Sequence, residues 1–164
     1  MHRFFDHPHL PPKPQLKTVA YAWLGAVLAI MVLAAIAQST HVIWILGSFG
    51  ASAVLVFGVP HATFSQPRNI MGGYLISAIC SVAGFYVAGY YLPVLALITG
   101  TAIALMMISR TLHPPAGSAP IVAYILQPDS HLFLIASLGG ATSVVLLALM
   151  YHKTIKHHDY PIYW

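Results

Sequence analysis

Six apolar stretches, separated by short polar or glycine- and proline-rich joints, run along the chain at about 18–37, 42–59, 70–92, 94–109, 115–127 and 132–151. The first, third and sixth approach the roughly 20 residues a helix needs to cross a bilayer. The fourth is slightly short. The fifth is shorter still: a helix from His113 to Gln127 would reach only about 22 Å at ~1.5 Å per residue, against ~30 Å of hydrocarbon, and it contains Pro120. The second has the same broken character, with Gly47, Gly50, Gly58 and a closing Pro60. The pattern predicts an all-α integral membrane protein with six apolar segments, the second and fifth short or broken. A proline-rich arm over 1–17 precedes a membrane domain over 18–151, and a polar tail over 152–164 follows it.

Composition strengthens that assignment. The chain is 59% hydrophobic and 6% charged, with a mean hydropathy of +0.79, whereas a soluble domain carries roughly 25% charged residues. The first stretch exceeds the roughly 7–15 apolar residues of a signal peptide and is expected to be retained. There is no Glu, and Asp6, Asp129 and Asp159 all fall outside the apolar stretches, which argues against a cation pathway or a carboxylate proton relay. Cys80 lies within the third stretch, where a packing role is expected. If all six segments cross, Arg3, Lys13, Lys17, Arg68, Arg110, Lys153 and Lys156 fall on one side and Asp129 on the other. The positive-inside rule makes that side cytoplasmic, with both termini there, as expected for a bacterial inner-membrane protein. Were segments two and five re-entrant, Arg68 and Arg110 would lie on opposite sides.

The chain also resembles itself. Gly25 to Met31 aligns with Gly100 to Met106, Gly50-Ala51-Ser52 with Gly117-Ser118-Ala119, and Gly72-Gly73 with Gly139-Gly140. Three matches in order suggest two halves, about 18–92 and 93–151. With three segments each, the halves would run in opposite directions through the membrane. Such 3+3 inverted repeats typify transporters whose sites lie at broken helices in corresponding positions. Those positions are Gly47 to Ser52 and Pro114 to Ala119.

The second of them opens with His113-Pro114-Pro115. Prolines suit a helix's first turn, where their missing N–H would be unpaired anyway. The N–H groups that follow, backed by the helix dipole, could face an anion. The candidate anion-binding residues are therefore Ser48, Gly50, Ser52, Arg110, His113, Gly117 and Ser118, with Pro114 and Pro115 shaping the turn. His113 would either protonate near a passing anion, making flux rise as pH falls through ~6.5, or serve as a hydrogen-bonded residue at the start of the helix. Arg110 could supply charge or merely anchor its segment. In Gln66-Pro67-Arg68-Asn69, Arg68 reads as an anchor and Asn69 as an N-cap for the third segment. Tyr151 joins Trp23, Trp44, Tyr90 and Tyr91 in an expected interfacial aromatic belt.

The stretches Gly47 to Phe57, Gln66 to Asn69 with Gly72-Gly73, and Arg110 to Gly117 resemble the HPP family of small membrane proteins, and the likeness extends over about 18–150. The resemblance implies an integral membrane protein and, since members have been linked to nitrite transport, a small inorganic anion as substrate. Many members are described as four-span proteins, in contrast to six segments here. Two other classes compete with transport: a membrane metal-handling protein or enzyme using the histidines, and a structural subunit. His41, His61 and His131 lie at segment ends without ligand spacing, and the tail histidines, which could bind a transition metal only weakly, read as solvated, so neither a metal nor another cofactor is expected. The expected partners are the anion, the bilayer and further copies of the chain. Nothing points to nucleic acid.

Overall fold

The computed structural model describes residues 12–40, 46–156 and 159–164, and among them all regular structure is helical. The N-terminal arm before residue 12, His41, Trp44 and the pair at 157–158 lie outside the described residues. Three helices are long and apolar enough to cross a membrane: α1 (Leu16–Thr40), α3 (Pro67–Ala88) and α6 (Ser130–Tyr151). At about 1.5 Å per residue, the 22 residues of α3 and of α6 reach about 33 Å. The 17 residues of α4 (Leu92–Ile108) reach about 25 Å.

The second and fifth segments are half-length, as their glycines and prolines predicted. Helix α2 (Leu46–Ala53) loosens into a π turn at Val54–Gly58, and together they extend about 19 Å. The fifth segment is a 3-10 turn, Pro114–Ser118, followed by α5 (Ala119–Leu126). Asp129 caps α6, its carboxylate accepting from the His131 and Leu132 N–H groups at 2.9 and 3.1 Å. Asn69 does not cap α3 as expected. Pro67 already begins that helix behind Gln66, and the Asn69 amide instead donates to the Leu112 carbonyl at 2.9 Å. Tyr151 is not part of an aromatic belt either. It is buried, meets Phe57 edge to face and donates its hydroxyl to the Tyr21 carbonyl.

Helix contacts place the basic residues. Arg68 donates to the Ser109 carbonyl, next to Arg110, at 3.3 Å. The imidazole of His152, adjoining Lys153, donates to the Val56 carbonyl at 3.0 Å, and Tyr151 ties that end of α6 to the start of α1, where Lys17 lies. One end of the bundle therefore carries Lys17, Arg68, Arg110 and Lys153. The α3–α4 and α5–α6 turns meet at the opposite end, around a small cleft lined by Phe85, Tyr90, Pro128 and Ser130.

Helix partners exchange in pairs between the two halves. α1 packs on α2 and α4 on α5; α1 packs on α6 and α4 on α3; α2 packs on α6 and α5 on α3; and α3 packs on α6. Glycines permit the closest approaches. A Cβ at Gly73 would meet the His113 Cβ at 2.7 Å and the Ala116 Cβ at 3.3 Å, while one at Gly140 would collide with the Phe49 ring. Nothing lies near Gly139. Gly73→Ala and Gly140→Ala should each destabilise the protein by about 1–3 kcal/mol through overpacking. Gly139→Ala should be neutral or slightly stabilising, and thermal unfolding in detergent would reveal the contrast. Arg68→Cys and Arg110→Cys, each made with Cys80→Ala, should be labelled from the same side of the membrane by an impermeant maleimide.

Candidate functional site

The two half-length segments meet where the chain is least regular. His113 is extended (φ −135°, ψ 100°) because it precedes a proline, and this carries its ring into the protein beneath the loop that follows α2. The Phe64 carbonyl lies 2.7 Å from Nδ1. A carbonyl can only accept, so Nδ1 carries the proton and Nε2 presents a lone pair. The Ser52 hydroxyl, 2.8 Å away, donates to it, and the Tyr74 hydroxyl, 3.0 Å from Ser52 Oγ, donates to Ser52 in turn. Ser52, Tyr74 and His113 are all 0% exposed. The Ser52 proton has a second acceptor, the Ser48 carbonyl at 3.3 Å. The Phe49 ring covers Tyr74, their centroids 4.8 Å apart.

Expected site residues gather only in part. Ser52 and His113 come together, and the buried Ser48 lies one turn away on α2. Gly50 is half-buried with open space where a Cβ would stand, and the same holds at Gly117. The Ser118 hydroxyl is engaged locally, donating to the Pro115 carbonyl at 2.8 Å. Arg110 is exposed, in the left-handed region at φ 56°, and takes no part in the cluster. Arg68 is likewise exposed. The N–H groups after the prolines differ from the expected free cradle: in the tight turn Ala116 N–H already bonds the His113 carbonyl at 3.0 Å. Of the two roles expected for His113, the bonds fit the hydrogen-bonded residue at the start of the helix, with Nδ1 donating to the Phe64 carbonyl and Nε2 accepting from Ser52. Its place is that of a neutral link in a hydrogen-bonded chain.

The Gln66-Pro67-Arg68-Asn69 stretch braces this site from the basic end. Gln66 is buried, its amide donating to Pro60 and Ala62 carbonyls at 2.9 and 3.1 Å and accepting from Ile162 N–H at 2.9 Å. Tyr163 donates to the Asn69 side-chain carbonyl at 3.0 Å, and Tyr160 to the Ser65 carbonyl at 2.8 Å. Burial pushes the Tyr160 phenol above its usual range, so it remains a donor. Tyr74 was absent from the expected site. Its signal was a phenol deep in an apolar stretch beside Gly72-Gly73, where a hydroxyl must find a partner. Among the described residues, His, Cys, Asp and Glu do not gather in groups of three.

An all-helical bundle with apolar outward faces, half-length segments at its centre and a buried hydroxyl–imidazole chain where they meet is an integral membrane protein. The chain belongs to the HPP transmembrane family: the profile described as HPP, transmembrane region, matches residues 11–161. A protein of Dictyostelium discoideum described only as a transmembrane protein is 32% identical, the match covering 94% of this chain and 58% of that one. A second from the same organism is 30% identical over 94% of this chain and 53% of its own length. The chain therefore spans about half the length of these curated relatives. No solved structure matches it.

The bonding pattern makes Ser52 the pivot of the cluster. Ser52→Ala leaves Nε2 of His113 and the Tyr74 hydroxyl without this partner, and should lower stability by about 1–3 kcal/mol per stranded group. Tyr74→Phe removes only a donor and should cost less. Unfolding midpoints in one detergent would rank the two.

Proposed function

We propose that the chain carries a small inorganic anion, nitrite by resemblance to its family, across the membrane, with the basic end cytoplasmic. The observation supporting this reading is the buried Ser52–His113–Tyr74 chain at the meeting of two half-length segments. Irregular backbone at membrane depth is tolerated only where protein buries it or water reaches it, and in transporters such breaks adjoin the site. The paired exchange of helix contacts supports reading the halves as an inverted repeat. Gly73 against Ala116 and Gly140 against Phe49 support it further, because these pairs correspond in the internal alignment. Neutral donors suit permeation, which requires binding weak enough for release. The arginines at the basic end would raise the local anion concentration without trapping it.

One observation favours a second reading. Ser52 Oγ lies 2.8 Å from His113 Nε2, and the opposite ring nitrogen is oriented by a carbonyl, an arrangement that activates a serine nucleophile in a solvent-filled cleft. Its complete burial favours transport.

Proteoliposomes should accumulate nitrite well above empty vesicles, with nitrate, formate and chloride compared in parallel. Subtracting the empty-vesicle signal removes leakage of neutral nitrous acid. Gly117→Val should abolish flux while the protein elutes normally, since nothing in the fold crowds that position. Intact flux in Gly117→Val would remove the second break from the pathway. Covalent capture of Ser52 by a fluorophosphonate, with no flux of any anion, would establish the enzyme reading instead.

A further inference from the structure

Helical serines and threonines in apolar surroundings ordinarily donate to a carbonyl one turn back, and this chain follows the habit. Ser81, Thr99, Ser109, Thr142, Ser143 and Thr154 each do so at 2.6–2.8 Å. Ser77 and Ser137 do not. Both are 0% exposed, and neither hydroxyl has a hydrogen-bond partner. A native structure seldom leaves such a group unsatisfied without a reason.

They lie at a similar depth. Ser77 lies one turn beyond Gly73 on α3, and Ser137 about one turn before Gly140 on α6. Gly73 abuts His113 and Gly140 abuts Phe49, which packs on Tyr74, so both glycines stand at the level of the Ser52–His113–Tyr74 chain. α3 leaves the basic end and α6 returns to it. Each serine is therefore displaced from that level by about one 5.4 Å turn in the same direction, away from the basic end. Ser48 is displaced likewise on α2, with its hydroxyl in reach of Tyr74. The apolar interior divides at this height. Tyr74 and Ala141 belong to one buried cluster, and Ala78 and Phe133 to another. Serines thus interrupt the core of both long central helices at one depth.

We propose that Ser77 and Ser137 are the deep anion contacts of the pathway, their free hydroxyl protons binding the acceptor oxygens of a small monovalent oxyanion midway through the membrane. The inference rests on the transport reading and adds residues to it. A hydroxyl donates without fixed charge, so the contact would be made and broken as the ion passes, and its protons recognise an acceptor-rich anion.

Ser77→Ala and Ser137→Ala separate this role from a structural one. Removing an unsatisfied buried hydroxyl relieves its desolvation, so each variant should melt at or above the wild-type temperature. Each should nevertheless lose about tenfold in nitrite flux, the equivalent of one hydrogen bond to an ion. Variants that melt lower with unchanged flux would overturn the proposal, because the hydroxyls would then hold helices or water together. Ser77→Cys and Ser137→Cys, each combined with Cys80→Ala, supply a readout independent of transport. A small methanethiosulfonate should modify both thiols slowly, and nitrite should slow the reaction while gluconate at equal sodium does not. Failure to modify either thiol, or protection that follows sodium, would overturn the assignment. Should wild-type protein carry no nitrite, the transport reading fails and nitrite protection of the thiols alone decides whether the anion site stands. Protected thiols and flux intact in both alanine variants would refute the pathway role alone.

Discussion

Polar backbone inside a membrane protein must be satisfied by the protein, since hydrocarbon offers nothing and each unpaired group costs several kcal/mol. Here two interruptions fall within the bundle, and one short connection serves both. The π turn ending α2 is answered by the Ser65 hydroxyl, which lies 2.9 Å from the Leu55 carbonyl and 2.8 Å from that of Val59, and by the His152 ring at Val56. The extended approach to the 3-10 turn is answered by Phe64, whose carbonyl holds the His113 ring, and by Asn69 at Leu112. Thus the connection around 59–66 fixes the end of one half-length segment and the beginning of the other. Gln66 holds that connection to itself and to the C-terminal tail.

That mutual dependence explains why the site is built from neutral groups. A charge at mid-membrane costs roughly 2.5–3.5 kcal/mol on insertion scales, and the described spans contain no carboxylate to offset a buried cation. Serine, tyrosine and a singly protonated histidine satisfy one another in sequence. The arginines remain at the basic end, where water solvates them.

Much of the fold was legible in the sequence because apolar length and helix-breaking residues act locally. Gly47, Gly50 and Pro60 marked one short segment, and Pro114, Pro115 and Pro120 the other; Pro60 follows the π turn that closes the first, and the three prolines shape the start of the second. Asn69 and Tyr151 were misread for a common reason. Each was assigned by its position at a segment end, whereas its partner, Leu112 or Tyr21, lies more than 40 residues away in sequence. Two of the three residues of the central cluster were legible on the same terms, since Ser52 and His113 sit on the breaks. Tyr74 sits on a regular helix, and only the packing of α3 against α2 and the 3-10 turn brings it in.

The same packing closes the cluster unequally toward the two membrane faces. On the side of the basic end, the connection around 59–66 lies across His113, and the tail lies across that connection through Tyr160, Ile162 and Tyr163. On the other side the α3–α4 and α5–α6 turns are short, with Gly89 at φ 75° and Gln127 at φ 43° reversing the chain within a few residues. Two half-length segments related by inversion would present similar barriers in both directions. The connection and the tail lie outside the helices paired by exchange, and both cover the cluster from the basic end alone.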